Sequence, residues 1–492
     1  MSKVINYIKN HDKIFIFIAI VIALIGIAMN LLVPFDVSDE MWNFQNTYKI
    51  YNGFQIYKEA NVITTPLFFY IGVSFFKILG ANIFVFRIYS IFIMSILYFF
   101  TYCICRNLKI NKTLSGIITF TLLLINNFVL NISGANYNQL ALSFVLIGLN
   151  HSIKNKDKKT KDLLFQGFIM AIIFLTKQNI GIYYILSTIV FDFIKNKKKA
   201  IKIILVKLGV FISLIFSFIV TLILKGDFYN FVNLAFLGIK DFGVSNILIN
   251  KVSITIVILI IVIEISMAII LLKNGKINEN EKENITELLI FSLFQMITIY
   301  PIMNDVHVMI GIYISCIMIV YCIIWIMLKN LINNKKILKI ILASFIIILF
   351  FISFCNLIFF EKNIKKEENL HEYSNPFFGI IIEPSNWDII KKVTEYINQN
   401  NRNVIDLSSD AAFYMVPLKR SNGLMDLALI GNIGKDGENV IINKINNLEN
   451  TEILLSKEKK CWQESDKIRT YIKMNLEKIG EIEEYEIFYK KW

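Results

Sequence analysis

The sequence predicts a polytopic α-helical membrane protein of about eleven transmembrane helices, followed by a small extracytoplasmic α/β domain. Three observations predict it. The chain of 492 residues is 55% hydrophobic and has a mean hydropathy of +0.58, above that of an average soluble protein. Apolar runs that approach or exceed the length of a spanning helix recur, among them residues 14–33, 83–102, 203–224, 254–272, 308–328 and 340–360. Beyond Phe360 those runs stop, and short helical and strand-like segments alternate. This divides the chain into a membrane part, 1–360, and a tail, 361–492.

Residues 14–33 follow Lys3, Lys9 and Lys13 and precede no small-residue cleavage pattern, so they read as an uncleaved first span. Orientation follows from basic charge. The loops 1–13, 106–112, 152–162, 195–202, 273–287 and 329–339 hold 23 Lys and Arg, and the opposite loops hold 6. The rich side is cytoplasmic. The N-terminus and 106–112 then share a side, so an even number of spans separates them, and the apolar stretch 66–79 does not cross. At that length it suits an interfacial or re-entrant helix. Residues 34–82 become a long outer loop with Asp39 near its start.

Further spans fall near 113–131, 136–151, 163–176, 180–194, 203–224, 250–272, 288–302, 308–328 and 339–360, leaving residue 361 onward outside. Lys177-Gln178-Asn179 and Gly181 make 163–194 a tight hairpin at the outer face. Residues 225–249 form a second outer loop with an interfacial stretch at 228–239. In the tail, Pro384-Ser385 open an amphipathic helix bearing Trp387, Ile389, Ile390, Val393 and Ile397. Strand-like 403–407, helical 440–448, strand 452–455, a helix 466–479 ended by Gly480, and strand 484–489 follow. The tail is expected to fold as an autonomous unit.

The formal charge of +13 is accounted for by the cytoplasmic loops, and the tail carries 19 basic against 22 acidic residues. A nucleic-acid partner is therefore not expected; the lipid bilayer is. Five of the six cysteines lie in apolar spans and Cys461 stands alone in the tail, so no disulfide or metal-type cysteine cluster is present.

The polar groups with chemical potential gather on the outer side. Asp39-Glu40 lead them, with Asn136-Tyr137-Asn138-Gln139, Lys177-Gln178-Asn179, and Asn304-Asp305 with His307. A carboxylate at the headgroup level loses hydration, which makes it a better base toward a hydroxyl. An acidic pair after a helix commonly does no more than face water, so the continuing sequence decides. It runs Asn46, Tyr48, Tyr51-Asn52-Gly53, Tyr57, Glu59, Thr65-Pro66-Leu67, Tyr70, Phe76-Lys77-Ile78-Leu79-Gly80 and Arg87.

That run resembles the first outer loop of the GT-C glycosyltransferases, polytopic enzymes that use lipid-phosphate-linked sugars. The protein O-mannosyltransferases and bacterial aminoarabinose–lipid A transferases are the most similar branches. The resemblance is clearest over 34–110. It implies a GT-C-like membrane domain and transfer of a sugar, with inversion, from a polyprenyl-phosphate carrier to a hydroxyl of a glycan, lipid or protein outside the membrane. It makes Asp39 the catalytic residue, with Glu40 and Glu59 as neighbouring acids. Arg87, Lys177 and His307 fall near the donor phosphate, where cations stabilise the leaving group. Tyr137, Asn138, Gln139, Gln178, Asn179 and Asp305 complete the substrate-binding set, although turn chemistry and capping explain the amides equally well.

The resemblance also leaves open a divalent metal held by Glu59 and His307. The Asp-x-Asp metal motif of the oligosaccharyltransferase branch is absent, because Asp36 and Asp39 are three apart. The rival reading is a lipid or sugar-lipid transporter, which needs polar groups along a whole transmembrane path. The inner halves of the spans read as nearly bare of them. Glu264, within a span, suits helix–helix hydrogen bonding.

Overall fold

A computed structural model describes residues 39–124, 135–156, 159–238, 251–300, 305–328, 368–369, 375–379, 381–382, 384–416 and 418–490. The expected spans at 14–33 and 339–360 lie outside the described residues.

The first described element corrects the sequence reading. Asp39 does not sit in a loop but begins helix α1, Asp39–Tyr51. Asp39 and Glu40 open it and Lys49 lies in its last turn, charges of the signs that the helix dipole favours. Its buried residues include Glu40, Asn43, Gln45, Asn46, Thr47 and Lys49 beside Met41, Trp42, Phe44 and Tyr48, so buried polar groups blur its apolar stripe in the sequence. Helix α2, Leu67–Leu79, follows Pro66 and stops at Gly80, whose φ of 100° suits glycine. Its 13 residues extend about 20 Å, short of a bilayer's hydrocarbon core. Its aromatic face packs on α1 and on helix α3, Ile83–Asn107, and the Tyr89 hydroxyl donates to the Phe68 carbonyl at 3.0 Å.

The bundle continues with α4 Lys112–Leu124, α5 Tyr137–Lys154, α6 Thr160–Thr176, α7 Gln178–Asn196 and α8 Ala200–Lys225. After it come a short α9, Phe228–Val232, continued by a π-helical turn, then α10 Lys251–Leu272, α11 Glu279–Met296 and α12 Asp305–Leu328. Among the described residues, Ile83–Asn107, Gln178–Lys225, Ile254–Leu272 and Val306–Met327 are long and apolar enough to cross a membrane. The fold is that of a multi-pass membrane protein. Exposed Leu205, Ile212, Phe216, Ile258, Leu259 and Val262 give α8 and α10 apolar outer faces suited to lipid.

The expectation that the inner halves lack polar groups is overturned. Asp192 of α7 and Lys207 of α8 form a buried ion pair at 2.5 Å, and Glu264 and Glu287 are fully buried. Ser292 of α11 donates to Glu264 of α10 at 3.4 Å, the interhelical bond expected of that acid. These groups are scattered over different helices, so no local run of polar residues announces them in the sequence.

The tail is an α/β unit. Helix α13 is Pro384–Gln399, and strand β3, Asn403–Asp406, pairs in parallel with β4, Thr451–Ser456. The connection between them contains α14 Ala412–Met415 and α15 Gly437–Asn446, as a parallel crossover requires. The short strands β1 Glu368–Asn369 and β2 Ile381–Ile382 form a separate antiparallel pair. Helix α16 is Asp466–Asn475, and β5 Glu477–Ile482 and β6 Tyr485–Lys490 form a hairpin whose second strand joins β4. The predicted helix 466–479 is therefore too long. Leu476 already has an extended backbone, and the chain beyond it gains ladder bonds to β6, which outweigh the helix propensity of its Glu and Lys.

The tail has a core of its own, with Ile405, Ile441, Ile453, Ile472 and Phe488 among its members, and it also packs on the membrane part. One continuous hydrophobic cluster joins Met41, Trp42 and Phe44 of α1, Phe68 and Phe76 of α2 and Phe86 of α3 to Phe377, Val393, Phe413, Leu427 and Tyr485 of the tail. Asn61 donates to the carbonyls of Leu424 and Leu427 at 3.0 and 3.1 Å. A Cβ at Gly238, just beyond α9, would lie 2.8 Å from the Gly434 Cα, so the chains touch backbone to backbone there. Residues with no sequence signal for pairing thus share one core across the two parts.

Candidate active site

Helix α1 is clamped at both ends. Near its start, Glu40 accepts from Arg87 of α3 through two bonds, Nε–Oε1 at 2.7 Å and Nη2–Oε2 at 3.0 Å, with both side chains fully buried. Near its end, Lys49 meets Asp426 of the tail at 2.8 Å, again buried. Breaking such pairs leaves an uncompensated buried charge, so they hold the helix in one position. Arg87, expected near a donor phosphate, is thus engaged with Glu40 and buried inside the bundle. Sequence spacing contains no hint of this pairing.

Just ahead of the first clamp Asp39 is exposed. It lines an open cleft of about 120 Å³. Trp42, Ile63 and Tyr137 share the membrane-side wall. The opposite wall belongs to the tail: Ser409, Leu427, Leu429, Asn432, Lys460, Cys461 and Gln463. None of these tail residues was singled out as a site residue from sequence, since a Lys-rich turn around Cys461 looks like any solvated loop. The indole of Trp42 stands edge-on to Tyr137, with ring centroids 5.8 Å apart at 74°.

Lys177 is the single residue between α6 and α7, the tight hairpin expected. Gly181 permits it: a Cβ there would come within 2.4 Å of the Phe174 Cα. The buried ammonium bonds the Asn138 side-chain oxygen and lies 4.9 Å from the centroid of the Tyr137 ring. Burial lowers its pKa to about 7, against the opposing pull of Asp39. Asp39 and Lys177 are therefore in electrostatic reach of each other, and His307, near the start of α12, feels the charge of Lys177. The structure thus brings together Asp39, Tyr137, Asn138, Lys177 and His307.

The other expected residues stand apart. Gln178 accepts from the Thr65 amide at 3.3 Å and donates to the carbonyls of Ile63 and Ala235 at 3.0 and 2.8 Å, so it ties the hairpin to the loop before α2. Asn179 caps its neighbour, accepting from the Ile180 amide at 2.8 Å. Glu59 accepts from the Gln55 amide at 2.7 Å and closes a turn. Gln139 is buried with both side-chain atoms lacking a hydrogen-bond partner. Asp305 begins α12, and its side chain lies outside the described residues. Among the described residues, no group of three or more His, Cys, Asp or Glu is disposed to hold a metal, so Glu59 and His307 gain no third ligand.

A model of the dolichyl-phosphate-mannose-protein mannosyltransferase family matches residues 64–223. The matched stretch holds Tyr137, Asn138 and Lys177 but begins after Asp39. Among solved structures, ArnT from Cupriavidus metallidurans bound to undecaprenyl phosphate superposes with a TM-score of 0.53 at 10% identity, covering 96% of this chain and 97% of that one. The chain has the fold of this ArnT. The apo form of the same ArnT gives a TM-score of 0.51 at 9% identity, covering 97% of this chain and 98% of that one. The Archaeoglobus fulgidus oligosaccharyltransferase, in complex with zinc and sulfate, gives 0.50 at 12% identity, over 89% of this chain and 68% of that one. No curated protein sequence matches the chain.

Proposed function

We propose that this protein is a GT-C glycosyltransferase, taking a sugar from a polyprenyl-phosphate carrier and transferring it with inversion to a hydroxyl outside the cell membrane. The observation that carries the reading is Asp39: an exposed carboxylate, on a helix clamped by two buried ion pairs, opening into a cleft with a buried lysine in reach. The matched mannosyltransferase model and the ArnT structure with undecaprenyl phosphate support the choice of donor.

In this mechanism the acceptor oxygen attacks the anomeric carbon as the bond from that carbon to the phosphate oxygen breaks. The acceptor proton passes to the Asp39 carboxylate. Polyprenyl phosphate leaves with one more negative charge than the donor carried, and the Lys177 ammonium, held by Asn138, neutralises it. His307 stands beside that cation. The lipid tail of the donor lies between helices in the bilayer.

The test is transfer by purified protein from undecaprenyl-phosphate-linked sugars. The wild type should release polyprenyl phosphate in the presence of acceptor, and Asp39→Asn should not. Wild-type turnover by Asp39→Asn overturns the assignment, and transport of the lipid-linked sugar by that variant favours the carrier reading.

The proposed orientation puts the N-terminus inside and the tail outside. Exposed Lys58→Cys and Glu458→Cys should then label from outside intact cells, and Lys109→Cys and Lys198→Cys should not. Labelling of Lys58→Cys and Lys109→Cys from one side would mean that α2 crosses, and would remove the site.

A further inference from the structure

The tail wall of the cleft presents a lysine with its charge already spent. Lys460 lies 2.5 Å from Asp410, bonds Glu484, meets the Tyr485 hydroxyl at 2.7 Å and sits 4.6 Å from the centroid of that ring. Tyr485 itself donates to Asp410 at 2.6 Å. Behind this group Asp406 is fully buried, and the Ser408 hydroxyl lies 2.5 Å from its carboxylate and 2.6 Å from that of Asp410. Asp410 and Glu484 stand behind the lining, where they offset the Lys460 charge, and Lys460 shares the cleft with Asp39.

A phosphate or carboxylate entering here would find the only cation among the cleft-lining residues already engaged by two carboxylates behind it. It would also approach Asp39 in a partly dehydrated space, where like charges repel strongly. The rest of the lining is aromatic, amide, hydroxyl and apolar. The Trp42 ring lines the cleft beside the Asn432 amide and the Ser409 hydroxyl. An aromatic face flanked by such groups fits a ring that is apolar on its faces and hydroxylated at its edge.

We infer that the acceptor is an uncharged saccharide, read by the tail, and that neutralisation of Lys460 by Asp410 and Glu484 excludes anionic acceptors. This rests on the glycosyltransferase reading and adds to it the class of molecule glycosylated.

The test uses the full chain in detergent on an array carrying neutral oligosaccharides, their phosphorylated and uronate counterparts, and Ser/Thr peptides. Neutral glycans should be retained at least about tenfold more tightly than anionic ones. The double variant Asp410→Asn with Glu484→Gln, verified as folded by its thermal unfolding, frees the Lys460 charge and should shift the preference toward anionic glycans by about tenfold. Lys460→Gln should keep the neutral preference. Equal or tighter retention of anionic glycans, retention of peptides alone, or an unchanged preference in the double variant overturns the inference. Binding of undecaprenyl phosphate to the same preparation keeps the two claims apart. Its absence overturns the glycosyltransferase reading, whereas its presence with an anionic preference overturns only the acceptor class.

Discussion

Two regions of the bundle bury charge, and they use it differently. Far from the cleft, Asp192 and Lys207 lie on neighbouring helices and meet at 2.5 Å. Beside the cleft Glu40–Arg87 does the same at 2.7 Å, and the adjacent residue, Asp39, is exposed in that cleft. The first pair fixes where two helices sit. The second fixes where the carboxylate proposed as the base sits. Burial of charge alone therefore does not mark a site; a buried pair next to a cleft-lining acid is what distinguishes the second region.

Asp39→Asn is the largest break in that comparison. It keeps the shape but removes the base, and turnover should fall by roughly a hundredfold to ten-thousandfold. Donor affinity, measured by direct binding, should move far less, because the phosphate is assigned to Lys177.

Next come the two pairs themselves. Arg87→Met and Lys207→Met each strand a buried carboxylate, and each should lower stability by about 3–5 kcal/mol, read as thermal unfolding in detergent. They should part company in turnover per folded molecule: Arg87→Met slows it, because α1 shifts, and Lys207→Met leaves it unchanged. Equal effects on turnover would erase the distinction between the two regions.

The pH dependence sharpens the region beside the cleft. Burial lowers the Lys177 pKa to about 7. Below that pH it is charged, and above it the ammonium loses its proton, so binding of polyprenyl phosphate should weaken as pH rises through neutrality. The bound phosphate favours the ammonium, so the midpoint in the complex should lie above that of the free protein. Lys177→Arg should flatten the dependence, since a guanidinium keeps its proton throughout.

The smallest effect belongs to Gln178→Leu. It abolishes three bonds to backbone groups and should cost about 2 kcal/mol, again as an unfolding shift, with the donor still bound.

The comparison also explains what the sequence makes legible. Long apolar runs expose the helices, and the one-residue turn at Lys177 is visible because a polar triplet and Gly181 interrupt two such runs. Asp39, Tyr137, Asn138, Lys177 and His307 are readable as a group because topology puts them on one side. The partner of Arg87 is not, since Glu40 is 47 residues away and nothing local distinguishes a pairing arginine from a phosphate-binding one. Gln178 and Asn179 are equally mute, because an amide serving the backbone has the same spelling as one serving a sugar. The helix mistaken at its C-terminal end, 466–479, fails for another reason. Its last residues have helix-forming side chains, and only the presence of β6 makes them a strand.

The bridge from Lys49 to Asp426 joins residues 377 positions apart. Helix α1 is among the earliest outer segments to be synthesised, yet its end is fixed by a carboxylate made much later. Trp42 and Phe44 likewise wait for Phe377, Phe413 and Tyr485. Such distant contacts form slowly and late. Until residues 409–463 have been made and have folded back, the wall opposite Asp39 does not exist. A nascent chain whose helices have already formed is therefore still without this cleft, and a segment made hundreds of residues later completes it.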